Sequence, residues 1–355
     1  MFTHKRDYLA ATLVLALSLV TMEPTKGNAV EIPQPDSNLY ILDVSGSLYT
    51  QNLWQSLKES IQEKLTQPFG NPGTKKFPAE KSIDISVSTI SKISSNARIF
   101  HIVTKSDSKE VWGDIEKKFP RSNSARMERI IEALFKPGGA WTEQAKIFSN
   151  DVVVSPSQSN CQSEMLDNMK NTDWIKNTDL QIRSDLSVKL CKKLIEISSK
   201  FIEADKYMAS PICKPTEKCS DVIGAMNRAT TFAKDLLVVN KNIKNTIGLC
   251  VAIASDMIHD TARLKQKSAL DSRHHALKAL TVDDARTAGS NAAKSVGIQF
   301  PKNVRTRIVL VGLGTGPNPI ADDRAAYLLA YWNGFFTSSG INSSSQEQSL
   351  NKACV

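Results

Sequence analysis

The sequence predicts an α/β fold with a doubly wound, mostly parallel β-sheet and helices on both faces. Three short, mostly apolar segments occur at residues 39–42, 247–254 and 308–313, and such runs are typical of strands buried on both faces. Segments with helical periodicity separate them. Because strands that alternate with helices favour parallel pairing, this order of elements predicts a layered α/β domain.

The first half of the chain adds a helix and an antiparallel edge strand. Residues 83–90 and 97–103 are rich in β-forming residues, and the short polar link between them predicts a hairpin at one edge of the sheet. Residues 83–90 alternate apolar and polar side chains, which predicts a half-exposed strand. A preceding amphipathic helix is predicted by apolar residues that recur every four positions: Leu53, Leu57, Ile61 and Leu65.

The pattern weakens over residues 108–184, which we interpret as a mainly helical or irregular insertion. A long helical pattern follows at 186–208. The whole α/β domain is predicted to span 37–340, apart from this insertion.

The last part of the chain completes the predicted sheet. We expect a polar helical region at 260–293, a final strand at 307–313 and a closing helix at 322–336. Residues 341–355 are interpreted as a polar C-terminal tail.

Residues 1–29 have the three parts of a signal peptide, namely a basic start, an apolar core of about thirteen residues and an exit at Gly27-Asn28-Ala29. We therefore expect an exported protein of the periplasm, the cell envelope or the exterior. Later apolar segments are too short to span a bilayer, so no membrane span is expected in the mature chain. The net charge of +9 is dispersed among acidic residues, which argues against a nucleic-acid partner.

All six cysteines follow the predicted cleavage site. An even number of cysteines in an oxidising compartment permits disulfides, but the sequence does not determine their pairing. A small loop around Pro215 makes a bridge between Cys213 and Cys219 plausible. Cys250 lies in an apolar run and is expected to be an inert buried thiol.

Oxygen-bearing side chains follow several of the predicted strands. Asp43, Ser45 and Ser47 form a D-x-S-x-S sequence directly after the first strand, and Asp256 follows the strand at 247–254. Ser220 stands at a predicted helix start, where either it or Asp221 could be the N-cap. Hard oxygens at this density suit magnesium, manganese or calcium, and ligands of open sheets bind at the carboxyl ends of strands. A capped turn without a metal is the alternative.

These residues together resemble the metal-ion-dependent adhesion site of the von Willebrand factor A (VWA) family. Asp43, Ser45 and Ser47 match its D-x-S-x-S motif, and the stretch from Cys219 is similar to its G-T-D-x-x-x-A motif, with Ser220 in the place of the threonine. Asp256 matches the aspartate that ends a central strand. The chain departs from the pattern at Ser220, which lacks the threonine methyl, and at Cys219, where the family often has glycine.

The resemblance implies an octahedral site for Mg²⁺, or for Mn²⁺ or Ca²⁺. Ser45, Ser47 and Ser220 would be direct ligands, while Asp43 and Asp256 would act mainly through bound waters. A cation with few anionic ligands can accept a carboxylate from a partner, so the resemblance implies a binding module that engages an acidic group of a partner protein.

Two other functions can be compared with this one. An envelope or secretion-system scaffold could keep the same fold with an empty metal site and make its contacts through residues 108–184. An enzyme would need a nucleophile with a neighbouring base, or a phosphate loop. Prolines separate the glycines at 312–316 from the next helix, so they do not form such a loop, and we expect no enzymatic activity.

Overall fold

The computed structural model describes residues 37–44, 50–65, 84–91, 98–103, 124–145, 157–170, 180–209, 219–239, 246–261, 268–315, 320–341 and 343–354. The predicted signal peptide at 1–29 lies outside these residues, as do Ser45 and Ser47. In the described parts, no helix is both long and apolar enough to cross a membrane.

The main β-sheet has six strands: β1 (Ser37–Asp43), β2 (Asp84–Ile90), β3 (Arg98–Val103), β5 (Ile247–Ala254), β7 (Val304–Val311) and β8 (Ser343–Glu347). Their order is β3-β2-β1-β5-β7-β8. Of the five pairs that the described strands form in this sheet, β2–β3 is antiparallel and the other four are parallel. Two further strands of two residues, β4 (Cys219–Ser220) and β6 (Asp260–Thr261), form a separate antiparallel pair. The predicted fold class and the edge hairpin are confirmed.

Nine α-helices are described: α1 (Thr50–Lys64), α2 (Ser124–Phe135), α3 (Ala140–Ala145), α4 (Gln158–Lys170), α5 (Leu180–Ala209), α6 (Val222–Val239), α7 (Ser272–Lys278), α8 (Val282–Val296) and α9 (Asp322–Ser338). A short 3₁₀-helix at Leu350–Lys352 follows β8.

Helices cover both faces of the sheet, and the alternation of side chains along β1 shows how. Tyr40 and Leu42 join a buried cluster with residues of α1 to α5 and the C-terminal segment. Leu39 and Ile41 point to the other face and join a second cluster with residues of α6 to α9. Because successive side chains of a strand point to opposite faces, a continuously apolar β1 requires cover on both sides.

The prediction that one face of β2 is exposed is wrong. Residues from Ile85 to Ile90 are all buried, including the small polar side chains of the alternating pattern. Helix α6 covers that polar face, and the Arg228 guanidinium donates a hydrogen bond to Ser88 Oγ. Ser88 therefore meets a polar partner in a helix instead of solvent.

The C-terminal residues interpreted as a polar tail contain β8, so the strand predicted at 307–313 is not the last one. β8 pairs in parallel with β7 through backbone hydrogen bonds, which need no apolar side chains. Cys354 forms a disulfide with Cys250 of β5. The interpretation of Cys250 as a free thiol is therefore wrong, because this distant residue folds back onto the central sheet.

The described part of the 108–184 segment is helical and packs into the core. Ile130, Leu134, Trp141 and Met165 from α2, α3 and α4 are buried in the cluster that covers the α1 face of the sheet. The indole of Trp141 donates a hydrogen bond of 2.9 Å to the carbonyl oxygen of Leu65.

Two further sequence predictions concern the loops around the second half of the sheet. The polar helical region expected from residue 260 begins with β6, and its first helix starts only at Ser272. Cys219 takes part in a disulfide, but its partner lies outside the described residues. The bridge between Cys213 and Cys219 stays a prediction.

Candidate functional site

The carboxyl edge of the sheet is where the predicted site residues collect. Parallel pairing aligns Leu42 of β1 with Ala254 of β5, and Ala254 with Val311 of β7, so these three strands end side by side. Backbone hydrogen bonds continue just beyond the ends, since the amide of Val44 donates to Ile90 and the amide of Ser255 donates to Val311. The residues that follow the strands therefore share one rim.

Two buried carboxylates occupy this rim on neighbouring strands. Asp43 ends β1 and is 0% exposed, whereas Asp256 follows β5 and is 6% exposed. The hydroxyl of Ser255 donates a hydrogen bond of 2.8 Å to Asp43 Oδ2, and the amide of Ile258 donates one of 2.9 Å to Asp256 Oδ1. Buried charges are tolerated when they are hydrogen-bonded or bind metal, and both acids receive at least one charge-assisted bond.

A tight buried turn at Met257 fixes the segment after β5. Met257 has a φ of 60°, in the left-handed region that is uncommon for residues other than glycine. Its amide donates to Ser255 Oγ at 2.9 Å. Its carbonyl oxygen accepts hydrogen bonds from Trp332 Nε1 at 2.8 Å and from Ser272 Oγ at 3.2 Å. Such strained conformations persist where surrounding contacts determine them, and here α7 and α9 supply those contacts.

Ser220 reaches the same edge through the small β4–β6 sheet. It lies in β4, is 7% exposed and is paired in register with residue 260, four positions after Asp256. The amide of Asp221 donates to the carbonyl of Ser91, directly after the end of β2. Contacts with the end of β2 and with β6, which follows β5 in the chain, thus place Ser220 at this edge.

The N-terminus of α6 is capped by Asp221, one of the two residues that the sequence offered for this role. The amide of Gly224 donates to Asp221 Oδ1 at 2.9 Å. The buried imidazole of His259 lies beside this cap, because its Nδ1 accepts from the amide of Ile223 at 3.5 Å and is 4.0 Å from Asp221 Oδ1. The cap and the imidazole connect α6 to the segment that carries Asp256.

A cation of the protein lies near this cap. Burial lowers the pKa of the Arg228 guanidinium on α6, whereas the nearby Tyr207 and Asp221 raise it. Because the pKa of arginine is normally far above neutral pH, Arg228 keeps its positive charge. That charge is close enough to Asp221 to compensate part of its negative charge.

The structure brings Asp43, Ser220 and Asp256 to one edge of the sheet, while Ser45 and Ser47 lie outside the described residues. Two carboxylates and a hydroxyl are hard oxygen donors, so their chemistry fits Mg²⁺ or a similar cation. Among the described residues, no three His, Cys, Asp or Glu side chains form a group that could hold a metal. The donor set that the sequence predicts differs from such a group, because three of its five ligands are serine hydroxyls.

Sequence reasoning missed the residues that shape the rim: Ser255, Met257, Ser272 and Trp332. Ser255 could have been noticed because it is a hydroxyl residue next to Asp256 at the end of a buried strand. The contributions of Ser272 and Trp332 depend on how α7 and α9 pack, and no local pattern indicates them.

Comparisons with known proteins add little to the structure described above. No protein-family model matches the chain, and no curated protein matches it. Among solved structures, the chain is similar to the crystal structure of the human COPII-coat protein Sec24c, with 10% sequence identity and a TM-score of 0.29. The alignment covers 90% of this chain and 30% of that chain, so this chain spans less than a third of the coat protein's length. A likeness at this level carries no argument about fold or function.

Proposed function

We propose that this chain is an exported, VWA-like protein-binding module that engages an acidic group of a partner protein through a divalent cation. The observation that carries the proposal is the pair of buried acids at the ends of adjacent strands, one of which, Asp43, accepts a hydrogen bond from the hydroxyl of Ser255. The proposed ligand set is Asp43, Ser45, Ser47, Ser220 and Asp256.

The ligand set explains why binding, and not hydrolysis, is proposed. Serine hydroxyls are neutral ligands, and the two aspartates would hold waters by charge-assisted hydrogen bonds. When bound, Mg²⁺, Mn²⁺ or Ca²⁺ would supply a positive charge with a coordination position for the partner's carboxylate. The role of the chain is to hold the oxygens in place.

Export is the second part of the proposal, and the disulfides support it. Cys161 of α4 is bonded to Cys191 of α5, and Cys250 is bonded to Cys354. Disulfides form and persist in oxidising compartments, and they are rare in the reducing cytosol. Together with the signal sequence predicted at residues 1–29, the disulfides favour the periplasm, the cell envelope or the exterior.

Thermal unfolding during a Mg²⁺ titration tests the cation site. A cation that binds only the folded state should stabilise it by about 2.7 kcal/mol at 100 times its Kd. The increase in Tm should disappear in Asp256→Ala and in chelator, and it should remain in the control Asp283→Ala, because the Asp283 side chain is 83% exposed and pairs with Arg286. An unchanged Tm in the wild type, or a full shift in Asp256→Ala, would contradict the proposal.

A pull-down of partner proteins tests the binding function separately. We expect the partner to be lost in chelator and in the double variant Asp43→Ala with Ser45→Ala. A partner that is retained unchanged under both conditions would refute the cation-dependent mechanism.

The second candidate is a scaffold with an empty cation site and contacts through residues 108–184. One observation favours it: the disulfide between α4 and α5 holds this region as a fixed surface. The exposed pair Asp167 and Lys170 lies on α4. If this candidate is correct, charge reversal at these two residues should release the partner while chelator has no effect.

A further inference from the structure

We infer that Ser255 is the positioning residue of the proposed cation site, where it orients the Asp43 carboxylate and couples it to Asp256. This inference rests on the proposed function. It concerns a residue that is not in the predicted ligand set, and it follows from hydrogen bonds between buried groups.

The hydrogen bonds define the direction in which the Ser255 hydroxyl points. A serine hydroxyl has one proton to donate and two lone pairs that accept. The amide of Met257 donates to Ser255 Oγ at 2.9 Å, and Ser255 Oγ lies 2.8 Å from Asp43 Oδ2. An amide can only donate, so it takes one of the lone pairs, and the hydroxyl proton is directed to the carboxylate. Ser255 and Asp43 are both 0% exposed, so water does not compete for these bonds.

The same hydroxyl also determines where Asp256 lies. Its bond to the amide of Met257 closes the turn after β5, in which Met257 adopts a φ of 60°. Within that turn the amide of Ile258 donates to Asp256 Oδ1 at 2.9 Å. Loss of the Ser255 hydroxyl would therefore remove a hydrogen bond from Asp43 and loosen the turn that holds Asp256. Both effects act on the two negative charges of the proposed site.

Ser272 provides a matched control for this inference. It is also 0% exposed. Its hydroxyl donates a hydrogen bond of 3.2 Å to the carbonyl oxygen of Met257 and accepts one of 3.0 Å from the amide of His259. No hydrogen bond joins Ser272 to Asp43 among the described residues. Both substitutions remove hydrogen bonds from the turn, but only the substitution of Ser255 also removes the bond to Asp43. The difference between the two variants therefore reports the orientation of the Asp43 carboxylate.

The experiment measures the Kd of Mn²⁺ by its paramagnetic resonance signal, alongside the Tm without metal. Removal of a residue that orients a metal ligand typically weakens binding about 10- to 100-fold, and this is the increase in Kd that we expect for Ser255→Ala. Ser272→Ala should lower Tm by a similar amount but raise Kd by less than about threefold, because Asp43 keeps its hydrogen bond. Ser255→Thr keeps the hydroxyl and should recover most of the affinity.

The outcomes separate this inference from the proposed function. If the wild type binds Mn²⁺ and Ser255→Ala binds it equally well, or no more weakly than Ser272→Ala, the inference is wrong while the proposed cation site stands. If the wild type does not bind Mn²⁺, both are wrong. Should Ser255→Ala fail to fold, Ser255→Cys replaces it as a nearly isosteric variant with a weak donor, and an unchanged Kd in that variant would overturn the inference in the same way.

Discussion

Replacement of Gly289 by alanine should destabilise the protein, although alanine favours helices more than glycine does. Gly289 lies where α8 crosses α9, and a Cβ at this position would clash first with the carbonyl oxygen of Tyr331. It would also be 2.7 Å from the carbonyl carbon of Tyr331 and 3.1 Å from the amide nitrogen of Phe335. Gly334 makes the reciprocal approach from α9, where a Cβ would be 2.8 Å from the carbonyl carbon of Arg286. The two helices thus touch backbone to backbone at a pair of glycines.

The size of the effect follows from these distances. Carbon atoms pack at about 3.5–4.0 Å and the carbonyl oxygens lie closer still, so an added Cβ requires the helices to separate locally by at least roughly 1 Å. Overpacking costs about 1–3 kcal/mol, and because the clash is with backbone atoms that cannot rotate away, we take the upper part of this range, about 2–3 kcal/mol. The better helix propensity of alanine offsets about 1 kcal/mol of this cost. We expect a net loss of about 1–2 kcal/mol for Gly289→Ala, with a decrease in Tm of roughly 2–8 °C.

Denaturant and thermal unfolding, followed by far-UV circular dichroism, measure this loss. The exposed residue Asn291 on α8 supplies a control, since Asn291→Ala gains helix propensity without meeting α9 and should be neutral or slightly stabilising. The double variant Gly289→Ala with Gly334→Ala should lose less stability than the sum of the single losses, because the first alanine already separates the helices. A Gly289→Ala protein as stable as the wild type would refute the close crossing.

Two further predictions concern single residues of the core. Met257→Gly should be more stable than Met257→Ala by about 1 kcal/mol, because glycine alone adopts a φ of 60° without steric cost. Elsewhere alanine is usually the more stabilising of the two residues. Equilibrium unfolding of the two variants measures the difference, and a more stable alanine variant would contradict the strained turn. Burial raises the pKa of Tyr40 to about 12 from its ordinary value of 10.0. Since the unfolded state then loses its proton first, stability should be complete below pH 10 and should fall by about 2–3 kcal/mol between pH 10 and pH 12. Tyr40→Phe, measured over the same pH range, should lack this part of the decrease, and identical pH profiles for the two proteins would contradict it.

The arrangement of the sheet was predictable because its strands carry strong local signals. A continuously apolar segment such as residues 39–42 must be covered on both faces, and this requirement alone indicates a helix-covered parallel sheet. The two strand predictions that failed lacked such a signal. The face of β2 at Ser86 and Ser88 is polar yet buried, and β8 (Ser343–Glu347) is polar and joins the sheet through its backbone alone.

The candidate site also has a part that the sequence predicts and a part that it does not predict. Its carboxylates and hydroxyls stand next to strand ends in the sequence, and the carboxyl ends of parallel strands share one edge, so the chain order alone predicts that Asp43 and Asp256 lie together. Their hydrogen-bond partners are not predictable in this way. The contact between Ser255 and Asp43 joins residues 212 positions apart, and its direction depends on a left-handed turn that Trp332 and Ser272 support from two other helices.

The sequence by itself determined which side chains stand at the ends of the buried strands, because strand periodicity and apolar composition are local properties. The tertiary structure decided the pairing of Cys250 with Cys354, the cover over β2, the strand β8 and the hydrogen bond from Ser255 to Asp43. Each of these depends on the register of strands and the packing of helices that lie far apart in the chain, and packing distances of a few ångströms are not encoded in any short segment.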